Sequence, residues 1–319
     1  MIIEIPTSKD FEVSAGDLLH SAWDQVSELL IEFNEMGDFA YESHDEEFAE
    51  SDYERYWQAA KQTIITSYAM VQQGVEFYIK GRIASVSPYL LLSGSPSSWP
   101  KKCDQSDVPF SSFRTVDAQD LIRLHDTVFH ERFSDEFRQW YEAMRTSRNK
   151  IMHTVDKRLY VQPEDLLEAI LYAHQYFCGQ GSWLDSRFSY LDGTPAHSIR
   201  YIREHDGHNP YVMLQVLTEM GVTVDKLAPA KIKGYFGFDK KKHSYNCPHC
   251  YEVLSNLDYF EPGYHDEYFQ PYQKKSGDNF VCCVCQRTGT VSGENCFEED
   301  CDSSLVDKEK GMCLVCGAA

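Results

Sequence analysis

Residues 134–153 read SDEFRQWYEAMRTSRNKIMH, and this stretch decides the fold of the first half of the chain. Ser134 followed by two carboxylates is a typical helix N-terminus. A stripe at helical spacing then follows, made of Phe137, Tyr141, Met144, Arg148 and Ile151. A charged group on a packing face is costly unless it is paired or used, so Arg148 marks a candidate functional position.

His153 follows Arg148 by five residues. On a regular helix the two positions lie about 140° apart around the axis, so one copy of the helix does not direct both side chains to one point. Either the helix ends near His153, or a second copy of the helix completes the site. A purely structural alternative pairs Arg148 with a core carboxylate such as Glu76 and leaves His153 as a helix cap.

Helical periodicity surrounds this segment on both sides. The sequence predicts a first helix from a capping box at Ser14 and Asp17 to Gly37, a second from near Asp52 to about Val86, a third region that begins near Asp117 and restarts at Ser134, and a fourth that Pro163 opens and Gly179 closes. Residues 93–115 are rich in Ser, Pro and Asp and predict a long exposed loop. No strand is expected in this block.

The stretch Ser147-Arg-Asn-Lys-Ile-Met-His153 resembles the Arg-x4-6-His signature of the HEPN superfamily, in its Arg-Asn-x-x-x-His form. Residues 74–81 (GVEFYIKG), followed by residues 87–91 (SPYLL), are similar to the end of the second helix of that family. The resemblance covers about residues 15–180, roughly half of the chain. It implies a helical bundle with the signature on its third helix.

The resemblance also implies a function. Many family members are metal-independent endoribonucleases, often toxins or defence effectors, and others are non-catalytic RNA or nucleotide binders. Their sites commonly lie at a two-fold dimer interface, so a homodimer that acts on RNA is expected. The corresponding catalytic residues are Arg148 for phosphate charge, His153 for proton transfer, and Asn149 to orient the imidazole or hold a phosphate.

Nine of the eleven cysteines lie between Cys247 and Cys316, at the spacing of metal ligands. Eight of them predict two tetrahedral zinc sites: Cys247, Cys250, Cys282, Cys285, Cys296, Cys301, Cys313 and Cys316. Sequential pairing of the first four and the last four is favoured, and an interleaved arrangement stays open. Cys283 is the ninth cysteine, and His243, His249 and His265 are reserve ligands.

The two zinc ions are expected to be structural, because four thiolates leave no open coordination position for catalysis. No catalytic metal is expected. The zinc module would then serve recognition of a substrate or of a protein partner such as an antitoxin. The basic run Lys240–Lys242 is a candidate RNA contact, with a solvated turn as the plainer interpretation.

The formal net charge of −20 argues against an extended surface that coats nucleic acid, because phosphate attraction normally comes from excess Lys and Arg. The charge is unevenly spread. Residues 1–60 hold sixteen acidic and two basic side chains, whereas residues 138–158 hold six basic and two acidic ones. A local RNA site on the basic segment is therefore compatible with an acidic protein.

These patterns predict a mainly α chain with three parts: a HEPN-like helical domain over residues 1–180, a small helical connector over residues 181–245, and a double zinc-ribbon-like module over residues 246–319. The connector is expected to hold helices near residues 195–204 and 210–220, with Gly221 as a stop. No apolar run approaches the roughly 20 residues of a membrane span, and the N-terminus lacks signal-peptide features, so a cytoplasmic location is expected. Three functions survive: a ribonuclease, a non-catalytic HEPN-type sensor, and a zinc-ribbon adaptor.

Overall fold

The computed structural model describes residues 1–42, 50–153, 161–200, 209–257 and 269–318. It confirms a mainly α chain with only small sheets. Two compact units are present: the helical unit comprises Met1–Val26 with Glu46–Phe177, and the cysteine-rich unit comprises Ser27–Asp45 with Cys178–Ala319. The predicted connector thus belongs to the same unit as the cysteine module. None of the described helices is long and apolar enough to span a membrane.

Five long or medium helices form the first part of the chain. They are α1 (Ser8–Glu42), which contributes to both units, α2 (Glu50–Val86), α3 (Ala118–Val128), α4 (Asp135–His153) and α5 (Pro163–Cys178). The predicted limits of the second and fourth helices agree with α2 and α5. Proline explains this agreement, because Pro88 cannot continue α2 and Pro163 is suited to the first turn of α5.

The first helix differs from its prediction at both ends. α1 begins at Ser8, because the capping box is Thr7 and Asp10 rather than Ser14 and Asp17. The Thr7 backbone N–H donates to the Asp10 carboxylate over 2.7 Å, and the Asp10 N–H donates to the Thr7 hydroxyl over 3.3 Å. The Thr7 N–H and the Thr7 hydroxyl, which also donates to the Asp10 carboxylate over 2.7 Å, hold the pKa of Asp10 below its usual value. The helix also continues past Gly37, since one glycine costs only about 1 kcal/mol in a long helix.

The predicted exposed loop is partly buried. Phe110 and Phe113 are only 4% and 5% exposed. Two short strands, β1 (Ile2–Ile3) and β2 (Val108–Pro109), pair in parallel, so a strand pair occurs where none was expected. Two-residue strands carry too little pattern to be recognised in a sequence.

Helix α2 is the central helix of the helical unit, and two glycines on it permit close packing against α1. A Cβ atom at Gly74 would lie 3.1 Å from the Ala15 carbonyl oxygen, and one at Gly81 would lie 3.2 Å from that of Ser8. Both distances are tighter than ordinary van der Waals contact. The fully buried side chains of this core include Leu19, Trp23, Val26, Ile64, Val71, Val75, Ile79 and Ile83. The glycines therefore fix how near the two longest helices approach.

A buried carboxylate ties α3 to the start of α4. Asp126 accepts hydrogen bonds from the Phe133 N–H over 3.0 Å and from Arg138, and it contacts the His125 ring over 2.9 Å. The His125 ring stacks on Phe133 with centroids 3.8 Å apart. Burial lowers the pKa of His125 against the opposing effect of Asp126. The register of α4, which carries Arg148, is thus set at its first turn.

The cysteine-rich unit combines helices with one small sheet. Its helices are α6 (Trp183–Asp192), α7 (Pro195–Arg200), α8 (Pro210–Lys226), α9 (Pro229–Phe236) and α10 (Pro248–Leu254), and its strands are β3 (Tyr272–Ser276), β4 (Asn279–Cys282) and β5 (Thr288–Thr290). The strands form an antiparallel sheet in the order β3-β4-β5. Gly221 does not stop α8, because burial of Val222, Thr223 and Val224 outweighs the propensity cost of one glycine.

Buried His174 on α5 makes the stability of the helical unit dependent on pH. Burial lowers its pKa from 6.5 to about 4. Between these values the unfolded chain binds more protons than the folded one, so stability is full above the unfolded pKa and falls as the pH drops through this window. At pH 5 the loss is about 2 kcal/mol.

We expect His174→Gln to flatten this part of the pH profile of the unfolding free energy between pH 7 and pH 5, measured by denaturant titration. The matched control is His130→Gln at an exposed histidine, which should keep the wild-type slope. An unchanged slope in the His174 variant would show that this histidine is protonated equally in the folded and unfolded states.

Candidate metal centres and the Arg148–His153 segment

The first cysteine group joins α10 to the turn after β4. Cys247 is the N-cap residue of α10 and Cys250 lies in its first turn, while Cys282 and Cys285 flank the turn. The Sγ atoms of Cys247 and Cys285 lie 3.7 Å apart, as do those of Cys250 and Cys282. The Cys285 N–H donates to the Cys282 sulfur over 3.3 Å, which orients one ligand inside its own loop.

The second group lies in the irregular segment that ends the chain. The Sγ atoms of Cys296 and Cys316 are 3.5 Å apart, and those of Cys301 and Cys313 are 3.8 Å apart. The Cys313 loop closes with a bond from the Gly317 N–H to the Cys313 carbonyl over 2.9 Å, and Gly317 has a φ of +75°. A glycine suits this left-handed turn because other residues are strained there.

Both groups fit a tetrahedral metal ion. Four sulfurs at about 2.3 Å from one ion lie about 3.8 Å from each other, and the distances within each group are close to this tetrahedron edge. The four ligand atoms of each group all lie within 4.8 Å of one another. Each group could therefore hold one ion, with sequential and not interleaved pairing.

The ninth cysteine and two of the three reserve histidines lie outside both groups. Cys283 is 6% exposed, and burial raises the pKa of its thiol, so the thiol stays neutral. His249 Nδ1 lies 3.7 Å from the Glu252 carboxylate. Neither it nor His243 belongs to a metal-binding group within the described part of the chain, and His265 falls outside that part.

One residue that the sequence analysis missed connects the two groups. The Asn246 backbone N–H donates to the Leu314 carbonyl over 3.0 Å, and its side-chain amide donates to the Val315 carbonyl over 3.2 Å. Asn246 directly precedes the ligand Cys247, and Leu314 and Val315 lie between two ligands of the other group. An asparagine beside a ligand was the available signal, but its partner becomes visible only in the fold.

The connector region also holds a buried ion pair that the sequence analysis missed. Arg187 on α6 is 0% exposed and donates to the Glu219 carboxylate on α8 over 2.9 and 2.7 Å. Gln215 adds a bond to the same carboxylate over 2.8 Å. A lone carboxylate in the apolar stretch of α8 was the signal. The pair positions α6 against α8. Lys240, from the predicted basic run, donates to the Asp225 carbonyl in the last turn of α8 over 3.3 Å and to the carbonyl of the C-cap residue Leu227 over 3.1 Å, so it has a structural role.

The stripe on α4 is buried as expected up to the candidate arginine. Phe137, Tyr141 and Met144 are at most 3% exposed, whereas Arg148 is half-buried. The Arg148 guanidinium donates to the Asn149 side-chain oxygen over 3.3 Å. No carboxylate of the described residues forms an ion pair with it.

Glu76, the carboxylate that could have neutralised Arg148, is engaged elsewhere. It accepts a hydrogen bond from Gln72, one turn earlier on α2. Its charge acts on Lys80, Tyr141 and Arg145: burial lowers the pKa of Lys80 while Glu76 opposes the shift, and burial raises the pKa of Tyr141 with help from Glu76. Arg145 itself pairs with Glu142 over 2.6 Å. The structural alternative for Arg148 thus lacks its expected partner.

Helix α4 extends to His153, so positions 148 and 153 lie on one helix, about 140° apart around its axis. The side chain of His153 lies outside the described part of the chain. Near this end of α4, the Ser147 side chain is hydrogen-bonded to Tyr68 of α2, whose pKa is raised by burial and by the charge of Asp165. Ser147 is therefore held against α2, and Arg148 is the next residue along α4.

Comparison of the chain with family models, with curated proteins and with solved structures finds no match. Any assignment of function consequently depends on the side chains described above.

We expect the purified full-length protein to contain about two equivalents of bound metal. Cys250→Ser removes a ligand from the first group and should lower that content, and Cys301→Ser should do so through the second group. Cys283→Ser is the matched control, a buried cysteine outside both groups, and should keep both equivalents. Elemental analysis of the four proteins measures this. One equivalent of metal in wild-type protein that has lost none during preparation, or a loss of metal in the Cys283 variant, would contradict the grouping.

Proposed function

We propose that the helical unit is a metal-independent endoribonuclease of the HEPN type, which cleaves RNA through attack of the substrate 2′-hydroxyl. The observation that carries the proposal is the half-buried Arg148, which follows a fully buried apolar stripe and forms no ion pair with the described carboxylates. A cation is costly in such a place unless it has a use. Phosphate binding supplies one, since a guanidinium matches two phosphate oxygens at once.

The proposed chemistry needs three contributions from the protein. A base takes the proton of the 2′-hydroxyl as its oxygen attacks phosphorus, and an acid gives a proton to the departing 5′-oxygen. The products are a 2′,3′-cyclic phosphate and a free 5′-hydroxyl. His153 can serve either proton transfer near neutral pH, and Arg148 stabilises the charge that builds on the phosphorane oxygens.

Asn149 has a supporting role in this proposal. Its side-chain oxygen accepts from Arg148 over 3.3 Å, so the guanidinium and the amide are held side by side. This contact uses the amide oxygen, and the amide N–H groups can serve a phosphate oxygen or the imidazole. Arg148 and Asn149 would form one anion-binding pair.

The active site is proposed to form between two copies of the chain, with Arg148 of one protomer and His153 of the partner subunit. About 140° separate the two positions on one helix, which a two-fold axis can bring together. The cysteine groups are proposed to hold two structural zinc ions, since zinc prefers tetrahedral thiolate sites. No catalytic metal is needed.

The biological setting that fits these features is a cytoplasmic toxin or defence effector, whose zinc module contacts a substrate or a protein partner such as an antitoxin. A second candidate is a non-catalytic RNA or nucleotide sensor that uses the same Arg148 and Asn149 side chains for binding, with the zinc module as an adaptor. The net charge of −20 weakens long-range attraction of RNA, so within this second candidate it favours a nucleotide over RNA as the ligand.

Cleavage of a labelled RNA pool should proceed in EDTA, should leave 2′,3′-cyclic phosphate ends, and should fail on DNA. His153→Ala should lower the rate about 10²- to 10⁴-fold, and Arg148→Ala on the order of 10²-fold or more. Arg145→Ala is the matched control: the same residue type on the same helix, already paired with Glu142, should keep a near-wild-type rate. Cleavage that depends on added Mg²⁺, with both single variants fully active, would refute the ribonuclease proposal.

A mixing experiment tests the shared site. Arg148→Ala and His153→Ala homodimers should each keep at most about 1% of the wild-type rate, whereas every heterodimer in an exchanged mixture has one intact site. Statistics then give about a quarter of the wild-type rate for a two-fold dimer. If both residues of a site belonged to one chain, mixing would restore nothing. Sedimentation that finds only monomer at micromolar concentration would rule out the dimer itself.

A further inference from the structure

The two cysteine groups contain the same loop motif with opposite exposure. Cys282-Cys-Val-Cys285 belongs to the first group and Cys313-Leu-Val-Cys316 to the second. Val284 in the first loop is 1% exposed, whereas Val315 at the same position of the second is 45% exposed. The residue before the valine, Cys283 in the first loop and Leu314 in the second, is buried in both loops. The two loops therefore differ in what packs over the valine.

The second group exposes an aromatic ring as well. Phe297, which directly follows the ligand Cys296, is 65% exposed. The Cys296 and Cys316 sulfurs lie 3.5 Å apart, so the two exposed apolar residues are each bonded to one of two adjacent ligands. Asn246 holds the Val315 carbonyl over 3.2 Å. Removing a large exposed apolar side chain from water is favourable, so two exposed apolar residues beside adjacent ligands are suited to binding a partner.

The chain segment that carries Phe297 is strongly acidic. Five exposed carboxylates lie within one short segment: Glu294, Glu298, Glu299, Asp300 and Asp302. None of them forms an ion pair within the described part of the chain, and no Lys or Arg occurs between Arg287 and Lys308. The nearby Lys310 is already engaged by Glu252 over 3.0 Å. We call Phe297, Val315 and these five carboxylates the acidic knuckle patch.

We propose that the acidic knuckle patch docks a polypeptide segment that carries a large apolar side chain flanked by Lys or Arg. The apolar pair supplies the contact area, and the carboxylates select the charge of the partner. RNA is disfavoured as the occupant because its phosphates would meet five unpaired carboxylates. A second copy of the patch is disfavoured for the same reason. The proposal does not depend on ribonuclease activity.

The test is selection of short random peptides displayed on phage by the full-length, metal-loaded protein. Peptides whose binding is lost in a Phe297→Ser/Val315→Ser variant should share an aromatic or large aliphatic residue flanked by basic residues. For such a synthetic peptide, that double substitution should weaken binding on the order of tenfold or more. The matched control is Val86→Ser/Tyr89→Ser, two comparably exposed apolar residues of the helical unit, which should bind as the wild type does.

Charge is tested separately with Glu298→Gln/Glu299→Gln/Asp300→Asn, which keeps the apolar pair. This variant should weaken the same peptide and reduce the salt dependence of its binding. Metal content is measured for every variant, and Val315→Thr is the milder substitute if the double variant loses metal. Selection of acidic or uncharged peptides, binding that is insensitive to these changes, self-association through the patch, or RNA bound there would each overturn the proposal.

Discussion

Eight thiols in two tight groups impose the constraint on which the C-terminal part of the chain depends. Four sulfurs within 4.8 Å of one another cannot all ionise without a cation between them, because like charges at this distance repel strongly at low dielectric. A bound cation offsets the repulsion between the thiolates and contributes folding free energy directly. The surrounding sheet has strands of only three to five residues, too little to fold without such support.

The same constraint separates the proposed roles of the two units. A metal held by four thiolates has no open coordination position, so the role that we propose for the cysteine-rich unit is recognition and not catalysis. The helical unit has the opposite character, since a cation follows the apolar stripe of α4 and the obvious core carboxylate, Glu76, is bonded to Gln72 instead. The proposed function rests on this contrast between the two units.

Much of the architecture could be predicted because its signals are local. Ligand spacing predicted the eight cysteines that form the two groups, and prolines fixed one end each of α2 and α5. The predictions were wrong where tertiary packing determines the ends of an element: α8 continues through Gly221 because the residues beyond it are buried. Asn246 and the unequal exposure of Val284 and Val315 were also out of reach, since each depends on a neighbour distant in sequence. The HEPN resemblance and the roles of Arg148, Asn149 and His153 stay predictions.

X-ray absorption at the metal edge of the full-length protein tests the central claim most directly, because it counts the atoms bonded to each ion. Two sequential four-cysteine centres predict a first shell of sulfur alone, about four atoms per ion at about 2.3 Å. A first shell that contains nitrogen or oxygen would contradict the account. It would place a histidine, a carboxylate or a water among the ligands and reopen a catalytic role for the metal.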